Sequence, residues 1–370
     1  MKTAAIIAEY NPFHNGHKLH IDKTREFSDR VIVIMSGSFV QRGEPAVFSK
    51  WQRAAHAIEN GADLVLELPS YYSVSSSRDF ASGAVRVLSA LGCVDILSFG
   101  SESESADSIV LPNETEDFSH LLKVHQKEGL SYRAAAEKAA SELGINLPGS
   151  PNDLLGAEYI KALHRIKSNI VPVSLKRTVA HDSAENAGCF ASASMIRDLI
   201  KDGKDVSRFV PKASSERPLF LSDLKSLIYL SVLNFDKERF SVRSLSDSEL
   251  LNTITKTRAE DDFISYLYNI KSKRYAMSRV KRTLLHILLN SGEKIPDFEP
   301  YARVLALNSA GASILRDIKK QAGIKIITKL KKSDLKENPA IALDVRASDI
   351  RSIALGEGTG SDFLNSPYKI

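Results

Sequence analysis

Ala4-Ala5-Ile6-Ile7-Ala8 runs directly into Glu9-Tyr10-Asn11-Pro12-Phe13-His14-Asn15-Gly16-His17. The first five residues read as a buried strand, and the rest as a tight turn entering a helix. Asn11-Pro12 marks the turn, because proline fixes its own φ and restricts the residue before it. His14 and His17 lie three residues apart, so a helix places them on one face. A helix start offers unpaired N–H groups and the positive end of the helix dipole, and both attract anions. Gly16 omits a side chain where a ligand would come close to the backbone. Together these features suit the phosphates of a nucleoside triphosphate.

The same alternation continues outward. Val31-Ile32-Val33-Ile34-Met35, Leu64-Val65-Leu66-Glu67-Leu68 and Val94-Asp95-Ile96-Leu97-Ser98-Phe99 read as strands, the first apolar enough to be buried on both faces. Ser49 caps a helix ended by Gly61, and a further helix runs from Phe80 to Leu91. Residues 115–145 read as polar helix. Ser150-Pro151-Asn152-Asp153 is a helix start, with a cap, a proline in the first turn and an acid behind it. Ile170-Val171-Pro172-Val173 is expected as an edge strand, since proline donates no ladder bond. Ser192-Ala193-Ser194-Met195-Ile196-Arg197 opens another helix. Such alternation implies an α/β fold with a doubly wound, Rossmann-like parallel sheet.

A length of 370 residues points to two domains. The polar stretch from Asp202 to Pro218 divides them, giving an α/β domain over 1–205 and a mainly helical one over 215–370, with a small strand at Ile324 to Ile327. The composition, 43% hydrophobic and 26% charged, is that of a soluble globular protein. No apolar run approaches the roughly 20 residues that span a bilayer, and no signal-peptide pattern opens the chain. A cytoplasmic protein without membrane contact is expected. The two cysteines, Cys93 and Cys189, are far apart and fit a reducing compartment, and no metal-ligand cluster is evident. Charge is uneven. Residues 201–370 hold 30 Lys/Arg against 21 Asp/Glu, whereas 1–200 hold 20 against 24. A basic second half suits a polyanionic partner, although basic helices also occur as plain solvated faces.

Four candidate pieces fall at strand-to-helix junctions, where open sheets bind ligands. They are the His14/His17 turn, Gly100-Ser101, Asn152, and Lys176-Arg177 followed by Ser192, Ser194 and Arg197. Hydroxyls and a guanidinium at a helix start repeat the phosphate-binding logic of the first turn. Taken singly, Asn152 reads equally as a first-turn structural residue and Ser192 as a cap.

H-x-G-H after the first strand, with S-x-S-x-x-R after the last, resembles the nucleotidyltransferase superfamily. A longer run narrows this: residues 9–17, then Met35-Ser36-Gly37-Ser38-Phe39-Val40-Gln41-Arg42-Gly43-Glu44-Pro45-Ala46, Ser49-Lys50-Trp51, Ser150-Pro151-Asn152 and Lys273-Arg274-Tyr275. With these the chain resembles the bacterial tRNA(Met) cytidine acetate ligases over most of its length. The resemblance implies an ATP-dependent enzyme that forms acetyl-adenylate from acetate and acetylates the wobble cytidine of elongator methionine tRNA. It implies an ATP site of Ile7, Ala8, Glu9, Tyr10, Asn11, Pro12, Phe13, His14, Asn15, Gly16, His17, Lys18, Leu19 and His20, with Gly100, Asn152 and Arg177. His14 and His17 would be catalytic, and magnesium would bridge the phosphates. The chain has no K-M-S-K-S loop, so the leaving group must be steadied elsewhere, with Lys50, Arg177, Ser192, Ser194 and Arg197 as candidates.

For the RNA, the segment 271–282 carries Lys271, Lys273, Arg274, Arg279, Lys281 and Arg282 with no acid among them. As a helix it would bury a stripe through Met277, Val280, Leu284, Ile287 and Leu288, and turn Arg274, Lys281 and Arg282 away from it. Tyr268 or Tyr275 could stack on a base. No stable protein partner is expected. Two other functions stay open on sequence: a small-molecule adenylyltransferase of coenzyme biosynthesis, and an RNA-binding protein without catalysis.

Overall fold

The computed structural model describes residues 1–370 apart from 104–105, 107–115, 131, 146, 148–149, 177–187, 237–247, 292–296 and 322. Strands β1 (Thr3–Ala8), β2 (Arg30–Ser36), β3 (Phe39–Val40), β4 (Glu44–Pro45), β5 (Leu64–Leu68), β6 (Ile96–Ser101) and β7 (Val171–Lys176) fall in the first half. Helices α1 (Asn15–Arg25), α2 (Lys50–Glu59), α3 (Ser70–Ser73), α4 (Ser77–Ala90), α5 (Glu116–Lys127), α6 (Tyr132–Glu142), α7 (Pro151–Arg165) and α8 (Ala193–Lys201) connect them. Local signals explain the boundaries. Ser49, Ser150 and Ser192 each cap a helix by accepting from a backbone N–H of its first turn. Val31 to Ser36 and all of β5 are buried, as continuous apolar runs require.

The parallel strands lie in the order β5-β2-β1-β6-β7. The chain thus winds outward from β1 in one direction and then, through β6, in the other. The order reverses between β1 and β6, and a crevice opens at the carboxyl ends of those two strands. The fifth strand is at the sheet edge, as Pro172 required.

The second half is mainly helical and carries the small strand expected at Ile324 to Ile327, but it also adds strands that were not expected. Beside α9 (Lys225–Leu233), α10 (Ser248–Lys256), α11 (Phe263–Ile270) and α12 (Met277–Leu289) it contributes β8 (Tyr301–Leu307), which joins the sheet antiparallel to β5. After α13 (Ser309–Gln321) comes β9 (Lys325–Ile327), paired with β8. Helices α14 (Lys332–Glu337), α15 (Pro339–Ala354) and α16 (Ser361–Leu364) precede β10 (Tyr368–Lys369), which also pairs with β8. The sheet is therefore not confined to residues 1–205. Every residue of β8 is buried, Arg303 included, and that charge is what hides the strand in the sequence. The guanidinium of Arg303 donates to the Asp362 carbonyl oxygen at 3.0 Å. One apolar core runs through Leu64, Val85, Leu97, Tyr266, Leu284 and Val304, so both halves bury surface together.

Among the described residues, no helix is long and apolar enough to cross a membrane.

Candidate active site

The site grows from the turn after β1. Tyr10 has φ +49°, a left-handed conformation unusual for a bulky residue, and its ring is buried. Neighbouring rings hold it there: Phe13 edge-on at 4.8 Å and His17 at 4.8 Å. His14 is the N-cap of α1, and its Nδ1 accepts from the Gly16 N–H at 3.0 Å. The His14 N–H donates in turn to Nδ1 of His17 at 3.3 Å. With both Nδ1 atoms accepting, each neutral ring carries its proton on Nε2. The two rings stack at 3.7 Å. The result is a pair of imidazoles, fixed in tautomer, at the positive end of a helix.

Distant segments hold this turn. Arg53 on α2 is fully buried and donates to the carbonyls of Glu9, Ser36, Gly37 and Phe48. Burial pushes its guanidinium down to about 9, yet the cage of carbonyl oxygens satisfies it. Asn11 accepts from the Val47 N–H at 2.8 Å, and Asn15 donates to the carbonyls of Cys189 and Arg208. Arg197 on α8 donates to the Asn11 carbonyl at 2.9 Å and to Ser194 Oγ at 3.1 Å. Its own burial lowers its pKa.

On the far wall, Asp153 of α7 accepts from the hydroxyl of Ser101 and from the Glu102 N–H, and so ties the end of β6 to the start of α7. Asn152 donates to Glu102 at 2.7 Å. Gly156 is required here, because a Cβ would stand 2.5 Å from the Phe99 ring.

These walls enclose a cleft of about 340 Å³. A wider, more open hollow of about 760 Å³ lies among α9, α10 and α11. Its lining mixes apolar side chains with Tyr229, Tyr266, Thr255, Thr257, Asp236 and Lys256, and holds no imidazole or guanidinium group.

The family model described as HIGH Nucleotidyl Transferase matches residues 1–362. A tRNA(Met) cytidine acetate ligase of Caldicellulosiruptor saccharolyticus is 36% identical over 96% of this chain and 95% of its own length. One of Thermoanaerobacter sp. is 35% identical, with both chains fully covered. The chain belongs to the tRNA(Met) cytidine acetate ligase family. It is an enzyme of the ligase class on a HIGH nucleotidyltransferase fold. Among solved structures, Thermotoga maritima TmcAL bound with alpha-thio ATP matches with a TM-score of 0.87 at 29% identity, covering both chains completely. The apo form matches with a TM-score of 0.90.

Within this family member, Ile7, Ala8, Glu9, Tyr10, Asn11, His14, His17, His20, Gly100, Asn152, Ser192, Ser194 and Arg197 all line the one cleft. Others expected with them do not. Pro12 and Phe13 are buried beneath the turn. Lys18 pairs with Asp22 at the surface. Asn15, Gly16 and Leu19 are not part of the lining. Arg177 lies outside the described residues. At Gly16 the group that comes close is His14's own ring, since a Cβ would stand 2.9 Å from it.

Lys50 is a correction. Its ammonium is buried between Glu67 and Asp362, each at 2.8 Å, and stands away from the cleft. Its charge alone suggests a phosphate ligand, whereas buried carboxylates on β5 and α16 claim it. The basic segment is corrected too. Lys281 donates to Glu44 at 2.5 Å, and Arg282 donates to the Gln41 carbonyl at 2.9 Å. Both therefore turn inward onto the β3–β4 hairpin. Tyr275 is buried, with Arg274 and Arg279 over its ring, and presents no open stacking face. Lys271, Lys273, Arg274 and Tyr268 remain exposed.

The sequence reading missed Gln41, Arg42, Phe99 and Tyr159, all of which line the cleft. Gln41 and Arg42 follow the apolar Phe39-Val40 pair inside the motif run, which is the one signal that could have found them.

Proposed function

We propose that this protein activates acetate with ATP and transfers the acetyl group to the wobble cytidine of elongator tRNA(Met). The observation that carries the reading is the convergence of both α1 histidines, Asn152, and the Ser192–Arg197 helix start on one cleft at the sheet's switch point. Family membership sets the reaction class.

ATP places its phosphates at the N-terminus of α1, where the helix dipole and the two imidazole N–H groups meet the charge, the backbone N–H groups of residues 15–18 being already engaged. An acetate oxygen attacks the α-phosphorus in line, and the bond to the bridging oxygen of pyrophosphate breaks. Negative charge grows on the leaving group in that step. His14 and His17, protonated at Nε2, donate hydrogen bonds to it, and Arg197 adds positive charge from α8. Positioning supplies most of the remaining acceleration. Among the described residues, no group of three or more His, Cys, Asp or Glu side chains is placed to hold a metal. Magnesium bound with ATP would offset the charge of the phosphates.

Exposed Lys271, Lys273 and Arg274 supply a surface for the RNA backbone, with Tyr268 beside them as a stacking face. The wobble base lies in an unpaired loop and reaches the cleft at little unpairing cost.

The test is incubation with ATP, labelled acetate and methionine tRNA. Label in the wobble cytidine, with AMP and pyrophosphate released, is expected. Absence of label, with an active relative as control, overturns the reading. Pyrophosphate release that needs a phosphorylated small substrate, and ignores acetate, would favour a coenzyme adenylyltransferase instead.

A further inference from the structure

Glu9 and Gln41 line the cleft together, and the adenylation step described above assigns neither side chain a role. Glu9 follows the last residue of β1, and its Oε1 accepts from the backbone N–H of Gln41 at 2.7 Å. That bond engages one of the two carboxylate oxygens. The side-chain Nε2 of Gln41 is buried and has no hydrogen-bond partner. A buried donor left unmade costs about 1–3 kcal/mol, so a ligand acceptor that completes it gains accordingly. The hairpin carrying Gln41 is held from the second half of the chain: Arg282 binds its carbonyl and Lys281 binds Glu44. A carboxylate acceptor and an amide donor are thus presented together beside the histidine pair.

We propose that Glu9 and Gln41 read the target cytosine, Glu9 accepting from its N4 amino group and Gln41 Nε2 donating to its N3. The proposal rests on the acetate-ligase reading of this cleft. Cytosine offers a donor beside an acceptor on that edge. Uracil offers the reverse, an O4 acceptor beside an N3–H donor, and would set acceptor against carboxylate and donor against amide. Sites that leave buried polar groups unpaired with the wrong substrate discriminate by about 10⁴-fold or more.

Glu9 is also the proton acceptor in the transfer step. The N4 lone pair forms a bond to the carbonyl carbon of acetyl-adenylate. The bond from that carbon to the phosphate oxygen breaks, and AMP leaves with the electron pair. One N4 proton passes to the Glu9 carboxylate, and the other stays on the new amide. The N4 lone pair is delocalised into the ring, so the amine needs its proton removed as the bond forms. Burial raises the Glu9 carboxyl above its ordinary value, against the Gln41 N–H and the nearby Arg42, Arg197 and Arg53. A base with a raised pKa takes a proton better than an exposed carboxylate does.

The test separates the two half-reactions in the full-length protein. Glu9→Gln keeps an oxygen for the Gln41 N–H but removes the base. Acetyl transfer from preformed acetyl-adenylate to tRNA(Met) should fall at least about 100-fold, the scale of a lost general base. Acetate-dependent ATP–pyrophosphate exchange, which reads any part Glu9 has in the ATP site, should fall less than transfer does, and the rise of wild-type transfer with pH should disappear. Gln41→Leu should raise the KM for tRNA about tenfold, the worth of one hydrogen bond, and affect exchange less. Transfer at the wild-type rate in Glu9→Gln, or equal loss of exchange and transfer, overturns the inference alone. A wild-type protein that exchanges pyrophosphate but never labels tRNA brings down the acetate-ligase reading as well.

Discussion

Arg197 reaches across 186 residues of sequence to donate from Nη1 to the carbonyl of Asn11, at 2.9 Å. One guanidinium thereby ties the start of α8 to the turn that carries both histidines. It also stands 3.9 Å from Glu44 on the β3–β4 hairpin, so three walls of the cleft meet at this side chain. Arg197→Lys keeps the charge but cannot hold Asn11 and Ser194 together. The KM for ATP in acetate-dependent exchange should rise about tenfold, with a larger loss in Arg197→Ala. An unchanged KM in both variants would contradict the role given to this contact.

His17 sits between the rings of Tyr10 and His14 and accepts from the His14 N–H. His17→Ala should lower acetate-dependent ATP–pyrophosphate exchange by about 100-fold or more, the scale of one lost donor to a leaving group. Filter binding of tRNA(Met) should stay near the wild-type level, because the exposed lysines lie on other elements.

Lys273 is exposed and Arg274 pairs at the surface with Glu249, whereas Lys281 and Arg282 are engaged by the β3–β4 hairpin. The double variant Lys273→Glu/Arg274→Glu should weaken tRNA binding and make its log–log salt dependence shallower by about two. Exchange without tRNA should persist. Lys281→Glu should act differently, lowering the melting temperature by setting a carboxylate against Glu44.

Gly43 has φ +77°, and a Cβ there would stand 2.5 Å from the Arg282 backbone nitrogen. Both the conformation and the space exclude a side chain. Gly43→Ala should cost about 2–3 kcal/mol, read as a lower urea midpoint at unchanged slope. It should also disturb the hairpin that presents Gln41 and Arg42.

Asp344 is buried, accepts from the Ser70 N–H at 2.7 Å and from the Tyr301 hydroxyl, and lies near Glu67 and Lys50. Burial foremost, then the charge of Glu67, pushes its carboxyl up to about 7 from an ordinary 3.8. A raised folded-state pKa means the fold takes up the proton more readily than the unfolded chain. Its stabilising contribution is therefore complete below about pH 4 and is lost as pH rises through about 7. Asp344→Asn cannot titrate, so its melting temperature should decline less than the wild type's between pH 5 and pH 8. Glu67, also raised by burial, stays in the variant and keeps part of the slope. Parallel curves would show that Asp344 does not titrate in this range.

Much of the fold and part of the cleft could be read before any coordinates. The β1 turn, the caps at Ser49, Ser150 and Ser192, and the edge position of β7 depend on groups within a few residues of each other. Arg303 concealed β8, because a charge in an apolar run reads as a surface position until Asp362 is brought to it. Tyr275 read as a stacking platform and Lys50 as a phosphate ligand for the converse reason. Residue type suggests what a side chain can do, but its burial depends on what packs over it.

The alternation of strand and helix, and the chemistry of the turn at residues 9–17, were therefore written in the chain itself. Hydrogen bonds and steric preferences of near neighbours encode both. Folding in three dimensions decided which distant groups meet: β8 against β5, Arg282 against Gln41, and Gln41 against Glu9. Those meetings depend on desolvation and close packing between segments far apart in sequence, which no local pattern specifies.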